Sequence, residues 1–131
     1  MSNGKYQVAV VGAAGTWGRF YTRAYAENPD CEIVGLVDRA RERRDQIAER
    51  YGVRKVYDEL DDLLAAGVPD IVSIVVPVSQ NYPCISACAA AGVRVVSCEK
   101  PISHELHEAD EIIRICRERS TLLGCSQAGW A

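Results

Sequence analysis

The sequence has little of what marks membrane-spanning, secreted or nucleic-acid-binding proteins. Its 131 residues have a formal net charge of only −3, so no excess of positive charge suggests nucleic acid as a partner. No apolar run approaches the roughly 20 residues that a membrane span needs. The first residues, Met1-Ser-Asn-Gly-Lys5, lack the charged and apolar regions of a signal peptide. These absences predict a cytoplasmic protein, with residues 1–131 forming a single globular domain.

The six cysteines do not form a recognisable ligand or redox motif, because no CxxC pair occurs. Cys84 and Cys88 stand four residues apart and would share one helix face, but a metal site needs further donors. His104 and His107 stand three residues apart, without the four-residue spacing of zinc-binding helices, which favours exposed histidines. We therefore expect free thiols, mostly buried, in a reducing compartment, and no metal site.

Apolar runs alternate along the chain with segments of helical periodicity. The runs show little polar alternation, which is typical of parallel strands covered on both faces. The predicted strands are 6–11, 32–37, 53–57, 71–76, 94–98 and 122–126. The predicted helices are 16–28, 40–51, 58–64, 82–91 and one capped by Ser103. This order predicts an α/β fold with a doubly wound parallel sheet.

One stretch organises the chain, because the first predicted strand runs directly into Gly12-Ala-Ala-Gly15-Thr-Trp-Gly18 and then into a helix. Gly12 would allow a tight turn, Gly15 would let a pyrophosphate approach the backbone, and Gly18 would let the helix pack closely on its strand. The anion would lie on the free N–H groups at the helix N-terminus. The spacing is GxxGxxG rather than GxGxxG, so the motif alone also fits a turn that binds no ligand.

Asp38 ends the second predicted strand, twenty residues after Gly18. A carboxylate at this position can accept hydrogen bonds from the adenosine ribose and would repel a 2′-phosphate, which favours NAD over NADP. Arg39 follows directly, and its guanidinium could stack on adenine or pair with a phosphate, so NADP stays open. Most of the arginines at 39, 41, 43 and 44 are interpreted as the solvated face of the next helix. Asp38 alone also fits a turn or helix cap.

Two further polar segments follow predicted strands at the same edge of the sheet, where ligands collect in doubly wound folds. Pro77-Val-Ser-Gln-Asn81 follows the fourth strand, and Glu99-Lys100-Pro101 follows the fifth. A charged pair at the end of a buried strand costs desolvation free energy unless it meets solvent or a partner. The second segment therefore fits either a site in the cleft or a structural salt bridge.

The order of these motifs resembles the N-terminal half of the glucose-fructose oxidoreductase and inositol dehydrogenase family (Gfo/Idh/MocA). The resemblance rests on the glycine turn with Trp17-Gly18-Arg19, the strand ending in Asp38, Tyr57-Asp-Glu-Leu60, the run from Asp70 to Pro77, Ala89 to Val96, and Glu99-Lys100-Pro101. It implies a Rossmann-type doubly wound parallel sheet of about six strands, with helices on both faces.

The same resemblance implies a set of residues that bind nicotinamide dinucleotide. Lys100 would be the catalytic lysine beside nicotinamide C4, where a cation stabilises negative charge on the reacting oxygen. The implied cofactor-binding residues are Gly12, Ala14, Gly15, Thr16 and Trp17 for the pyrophosphate, Asp38 and Arg39 for the adenosine, and Pro77, Asn81, Glu99 and Lys100 on the nicotinamide side.

Members of that family continue into a second domain that binds substrate, so residues 1–131 correspond to the dinucleotide-binding domain. We expect hydride transfer to or from a sugar-like or cyclitol-like small molecule only in a longer form, and little activity from this chain alone. The face left uncovered favours homo-oligomers. Two alternatives remain: a non-catalytic nucleotide-binding or redox-sensing module, and a fragment of a reductase similar to dihydrodipicolinate reductase, whose glycine turn is alike.

Overall fold

The computed structural model describes residues 4–126, in which a single parallel sheet carries helices on both faces. The strands are β1 (Tyr6–Val11), β2 (Cys31–Val37), β3 (Val56–Tyr57), β4 (Ile71–Ile74), β5 (Val95–Glu99) and β6 (Leu122–Ser126). The helices are α1 (Thr16–Glu27), α2 (Arg41–Tyr51), α3 (Leu60–Ala66), α4 (Asn81–Ala91) and α5 (Leu106–Glu118). A single 3₁₀ turn, Val78–Gln80, leads into α4.

The strand order is β3-β2-β1-β4-β5-β6, and every neighbouring pair runs parallel. The chain therefore winds outward from β1 to one edge, returns to β4 beside β1, and winds outward to the other edge. This confirms the prediction of a doubly wound sheet. The point where the winding reverses, between the carboxyl ends of β1 and β4, is where such sheets bind their ligands.

The core forms two layers because successive strand residues point to opposite faces of the sheet. Val10 and Leu36 pack with residues of α1 and α2 on one face. Ala9, Val11 and the inner residues of β4 and β5 pack with α3, α4 and α5 on the other. The helices thus cover both faces, as predicted.

Several predicted boundaries are wrong: the fourth strand ends at Ile74 rather than Val76, and the third helix is Leu60–Ala66 rather than 58–64. Two further differences have a clear local reason. The third strand begins at Val56 rather than Val53, because Gly52 and Val53 donate their N–H groups to Ala48 and complete the end of α2. The last helix begins at Leu106, since the Ser103 hydroxyl accepts the Glu105 N–H in a turn that precedes the helix. Ser103 also donates to Glu108 and so still contacts the first turn.

The cysteine side chains lie mostly in the core layer between the sheet and helices α3, α4 and α5, and none of them forms a disulfide. Burial raises the pKa of Cys84 to about 11 and the pKa values of Cys88 and Cys98 to about 12. The Sγ atoms of Cys98 and Cys125, which are paired in register on β5 and β6, are 3.5 Å apart. Over residues 4–126, no His, Cys, Asp and Glu side chains are grouped in a way that could hold a metal ion.

No helix in the described part of the chain is long and apolar enough to cross a membrane.

Candidate functional site

The turn after β1 requires glycine at its first position. Gly12 has a φ of +84°, and a Cβ there would lie 2.0 Å from the carbonyl oxygen of Val75. Its N–H donates to the Val37 carbonyl at 2.8 Å, which ties the turn to the end of β2. A side chain would therefore force the turn away from the segment that follows β4, at the point where the winding of the sheet reverses. The predicted tight turn is present.

Gly18, in the first turn of α1, is required for a different reason. A Cβ at this position would lie 1.9 Å from the Gly12 carbonyl oxygen and 2.9 Å from Ala13 Cα, both backbone atoms. The close packing of helix and turn that the sequence predicts is therefore possible only without a side chain. Helix α1 begins directly over the turn as a result.

The N-terminus of α1 has the features of an anion site. Gly15 is the N-cap and offers no side-chain acceptor, and the first turn has no acidic residue. The N–H groups of Thr16 and Trp17 have no acceptor within the helix, because the first turn precedes the i→i−4 ladder. A Cβ at Gly15 would come no closer than 3.6 Å to an atom other than its chain neighbours, so the space beside it is open. These donors and this space fit a pyrophosphate.

Asp38 stands at the end of β2, next to the turn. Its Oδ2 accepts the Ala14 N–H at 2.9 Å and its Oδ1 accepts the Ala40 N–H at 2.9 Å. The carboxylate thus holds the glycine turn and the start of the next segment in place. Each carboxylate oxygen has a further lone pair, so Asp38 can still accept ribose hydroxyls. The Ala14 N–H is already engaged, which makes Ala14 a residue that shapes the turn.

A cleft of about 380 Å³ opens beside the turn at the carboxyl edge of the sheet. We refer to it as the first cleft. It brings together the predicted residues Gly12, Gly15, Asp38, Arg39 and Pro77. It is also lined by Asp58 and Glu59, which sequence reasoning did not select, and by Gln80 of the predicted 77–81 loop. The remaining lining residues are Val11, Val37, Leu60, Val75, Val76 and Cys84.

A second cleft of about 480 Å³ lies on the other side of the turn and shares Gly15, Val75, Val76 and Pro77 with the first. It contains the predicted residues Thr16, Trp17, Glu99 and Lys100, with Gly18, Val75 and Val76 completing its wall. The two clefts meet at the glycine turn. A dinucleotide laid across the turn would therefore have one half in each cleft.

Tyrosines on α1 hold the end of β5 near the second cleft. The Tyr21 hydroxyl donates to Glu99 Oε1, and the Tyr25 hydroxyl lies 2.8 Å from Ser73 Oγ, which in turn lies 2.7 Å from Ser97 Oγ. These contacts tie α1 to β4 and β5. Lys100 follows Glu99 and is exposed, and the Lys100–Pro101 peptide bond is cis.

Asn81, predicted to contact the nicotinamide side, is buried at the start of α4 with 1% of its surface exposed. Its Nδ2 donates to the Ile102 carbonyl at 3.1 Å and the Pro101 carbonyl at 3.4 Å. Its Oδ1 has no hydrogen-bond partner within the described residues. The structure therefore places Asn81 behind the loop that follows Lys100, while its neighbour Gln80 lines the first cleft. A direct contact with the cofactor stays a prediction.

Arginines and carboxylates form paired clusters at the rim of the first cleft. Arg39 binds Glu59 through both prongs of its guanidinium, with Nε–Oε1 at 2.6 Å and Nη2–Oε2 at 3.0 Å. Asp58 accepts from Arg41 at 2.9 and 2.5 Å and from Arg44 at 2.8 Å. The solvated interpretation is wrong for Arg44, which is 5% exposed, because it also donates to the Asp38 carbonyl at 2.9 Å.

These arginines predict an acid-sensitive contribution to stability. Hydrogen bonds from Arg41 and Arg44 lower the pKa of Asp58 from 3.8 to about 2. A lowered folded-state pKa stabilises the fold above the unfolded value, and this stabilisation is lost as the pH falls from about 4 toward 2. In urea unfolding measured across that range, the native sequence should have a higher free energy of unfolding than Asp58→Asn at about pH 4, and this difference should shrink toward about pH 2. A difference that stays constant would contradict the ion-pair assignment.

Comparisons with known proteins agree with this geometry. The family model described as "Oxidoreductase family, NAD-binding Rossmann fold" matches residues 6–126. The chain is 28% identical over 123 residues to the D-glucoside 3-dehydrogenase of Escherichia coli, covering 94% of this chain and 35% of the relative. It is 32% identical over 117 residues to the UDP-N-acetylglucosamine 3-dehydrogenase of Acidithiobacillus ferrooxidans, covering 89% of this chain and 35% of the relative.

Among solved structures, GenD2 from gentamicin A biosynthesis, in complex with NAD, superposes with a TM-score of 0.86 at 28% identity. The match covers 93% of this chain and 34% of that one. The chain thus spans about a third of the length of the proteins that it matches. Fold, site geometry and family match lead to one conclusion: the chain belongs to the Gfo/Idh/MocA oxidoreductase family and contains its NAD(P)-binding Rossmann domain.

Proposed function

We propose that this chain binds NAD in preference to NADP, as the cofactor domain of an oxidoreductase that acts on a sugar-like or cyclitol-like molecule. The observation that carries the preference is the Asp38 carboxylate, which lines the first cleft and is fixed by two backbone N–H groups. A carboxylate held in this way accepts ribose hydroxyls and repels a 2′-phosphate. The names of the relatives, which are dehydrogenases of glucosides, sugar nucleotides and D-apiose, support the substrate class.

The glycine turn would hold the pyrophosphate. Thr16 and Trp17 provide N–H groups at the positive end of α1, and Gly15 leaves the approach open. Asp38 and Arg39 would then take the adenosine in the first cleft, with the nicotinamide in the second cleft between Pro77 and Glu99. This arrangement directs the reacting end of the cofactor toward Lys100.

Lys100 would act on the substrate oxygen. The bound cofactor supplies the hydride chemistry. An ammonium group next to the reacting hydroxyl or carbonyl stabilises the negative charge that develops on oxygen and helps to orient the substrate. Glu99, held by Tyr21, fixes the strand end from which Lys100 projects. A complete catalytic site needs substrate-binding groups beyond those of residues 4–126, as expected for a chain that spans a third of its relatives.

Titration of the 131-residue chain with NADH, followed by nicotinamide fluorescence, tests this function. We expect micromolar binding to the native sequence and affinity weaker by about tenfold or more for Asp38→Asn, because an amide cannot accept both N–H groups and the ribose as well. Asp30→Asn, at the opposite end of β2, is the matched control and should bind normally. A native chain that binds no NADH at millimolar concentration would refute the proposal.

A further inference from the structure

Arg39 and Glu59 form an ion pair at the rim of the first cleft. Arg39 directly follows Asp38, and Glu59 is the N-cap residue of α3. The guanidinium meets the carboxylate in a two-pronged arrangement, with N–O distances of 2.6 and 3.0 Å. Both residues line the same cleft as Asp38 and Gly12. The pair therefore lies where the adenosine ribose is proposed to bind.

The Arg39–Glu59 pair determines whether a guanidinium in this cleft is available to bind a phosphate on the ribose. An arginine that follows the strand-end acidic residue can bind a 2′-phosphate only if its guanidinium is available. Here both prongs of Arg39 are taken by Glu59, while Arg41 and Arg44 are bound to Asp58. A 2′-phosphate beside Asp38 would thus approach two carboxylates and a cation that already has a partner.

We infer that Glu59 is a positioning residue for cofactor specificity: it holds Arg39 in a two-pronged ion pair and thereby withholds the guanidinium from the 2′-phosphate of NADP. The inference rests on the proposed function, because it assumes that a dinucleotide binds with its ribose at Asp38. It assigns the preference for NAD to two carboxylates. Asp38 binds the ribose directly, and Glu59 acts through Arg39.

The expected size of the effect follows from the exposure of the pair. The Arg39 and Glu59 side chains are 78% and 50% exposed, and ion pairs in such surroundings are weak. Release of Arg39 should therefore change the selectivity by about threefold to fivefold, with Asp38 still opposing the phosphate. The Glu59 side chain makes no capping hydrogen bond to α3, so its replacement removes no hydrogen bond from the start of that helix.

The experiment measures the dissociation constants of NADH and NADPH for four forms of the 131-residue chain: the native sequence, Glu59→Gln, Arg39→Ala and the double variant. The readout is the ratio of the NADPH constant to the NADH constant, which a general loss of folding would not shift in one direction. Glu59→Gln should lower this ratio by about threefold to fivefold, mainly through tighter NADPH binding. In the Arg39→Ala background the same change should alter the ratio by less than about twofold.

Glu111→Gln is the control, because it breaks another two-pronged arginine–glutamate pair, with Arg114 on α5, far from the cleft in sequence and fold. Its ratio should equal that of the native chain. An unchanged ratio in Glu59→Gln would overturn the inference, and so would an equal shift with and without Arg39, which would mean direct charge repulsion. A native chain that binds neither cofactor would instead refute the proposed function itself.

Discussion

Replacement of Gly18 by alanine is expected to abolish NADH binding and to lower the free energy of unfolding by about 3 kcal/mol. The added Cβ would lie 1.9 Å from the carbonyl oxygen of Gly12 and 2.8 Å from its carbonyl carbon. Backbone atoms cannot turn aside as a long side chain can, so α1 would have to move away from the turn. That shift would displace the N–H groups of Thr16 and Trp17 from the position proposed for the pyrophosphate. Urea unfolding and NADH titration measure the two effects.

Gly67→Ala is the matched control for this change. Gly67 follows α3, has no atom within 4 Å of its virtual Cβ, and has an extended φ that any residue adopts. Its replacement should change stability by less than about 0.5 kcal/mol and leave NADH affinity unaltered. If Gly18→Ala behaved like Gly67→Ala, the close packing of helix and turn would not be what holds the site together.

The second large effect is expected at Lys100. In a longer protein that joins this domain to a substrate-binding domain, Lys100→Ala should lower kcat by about 100-fold to 1,000-fold, because the developing charge on the substrate oxygen loses its cation. The dissociation constant of NADH should change little. Steady-state turnover with glucosides, sugar nucleotides and cyclitols as trial substrates, beside an NADH titration, separates the two quantities.

Lys55→Ala provides the comparison for this variant, since Lys55 precedes β3 at the opposite edge of the sheet from Lys100. Its turnover should match that of the native protein. A Lys100→Ala variant with unchanged kcat would remove this lysine from the mechanism, while the proposal that the domain binds NAD would stand on the binding data.

The fold could be predicted from sequence because its signals are local. The strands are apolar runs, and the reversal of winding follows from their order along the chain. The spacing of Gly12 and Gly18 within one short turn predicts their roles. The pairing of α1 with its turn depends on the absence of a side chain, which the sequence displays directly. The glycine spacing alone also fitted a reductase similar to dihydrodipicolinate reductase, and the family match over residues 6–126 decides for the Gfo/Idh/MocA family.

The side-chain arrangement of the site could not be predicted in the same way, because it depends on residues distant in sequence. Glu59 lies twenty residues from Arg39, and its pairing with that arginine requires the start of α3 to meet the end of β2. Arg44 looks like one more surface arginine of α2, yet it is buried against Asp58. The acidic run Asp58-Glu59 beside an arginine-rich segment was the available signal for both pairs.

Most of the thiols lie in one half of the domain, so their reactivity can report when that half opens. Cys84, Cys88, Cys98, Cys116 and Cys125 belong to α4, α5, β5 and β6, whereas Cys31 alone belongs to the part of the sheet before β4. Alkylating reagents attack the thiolate, and burial keeps the pKa of Cys88 and Cys98 near 12. These thiols become reactive when their layer opens. The time course of alkylation, resolved by mass spectrometry, therefore follows the opening of one half of the domain residue by residue, with no label added.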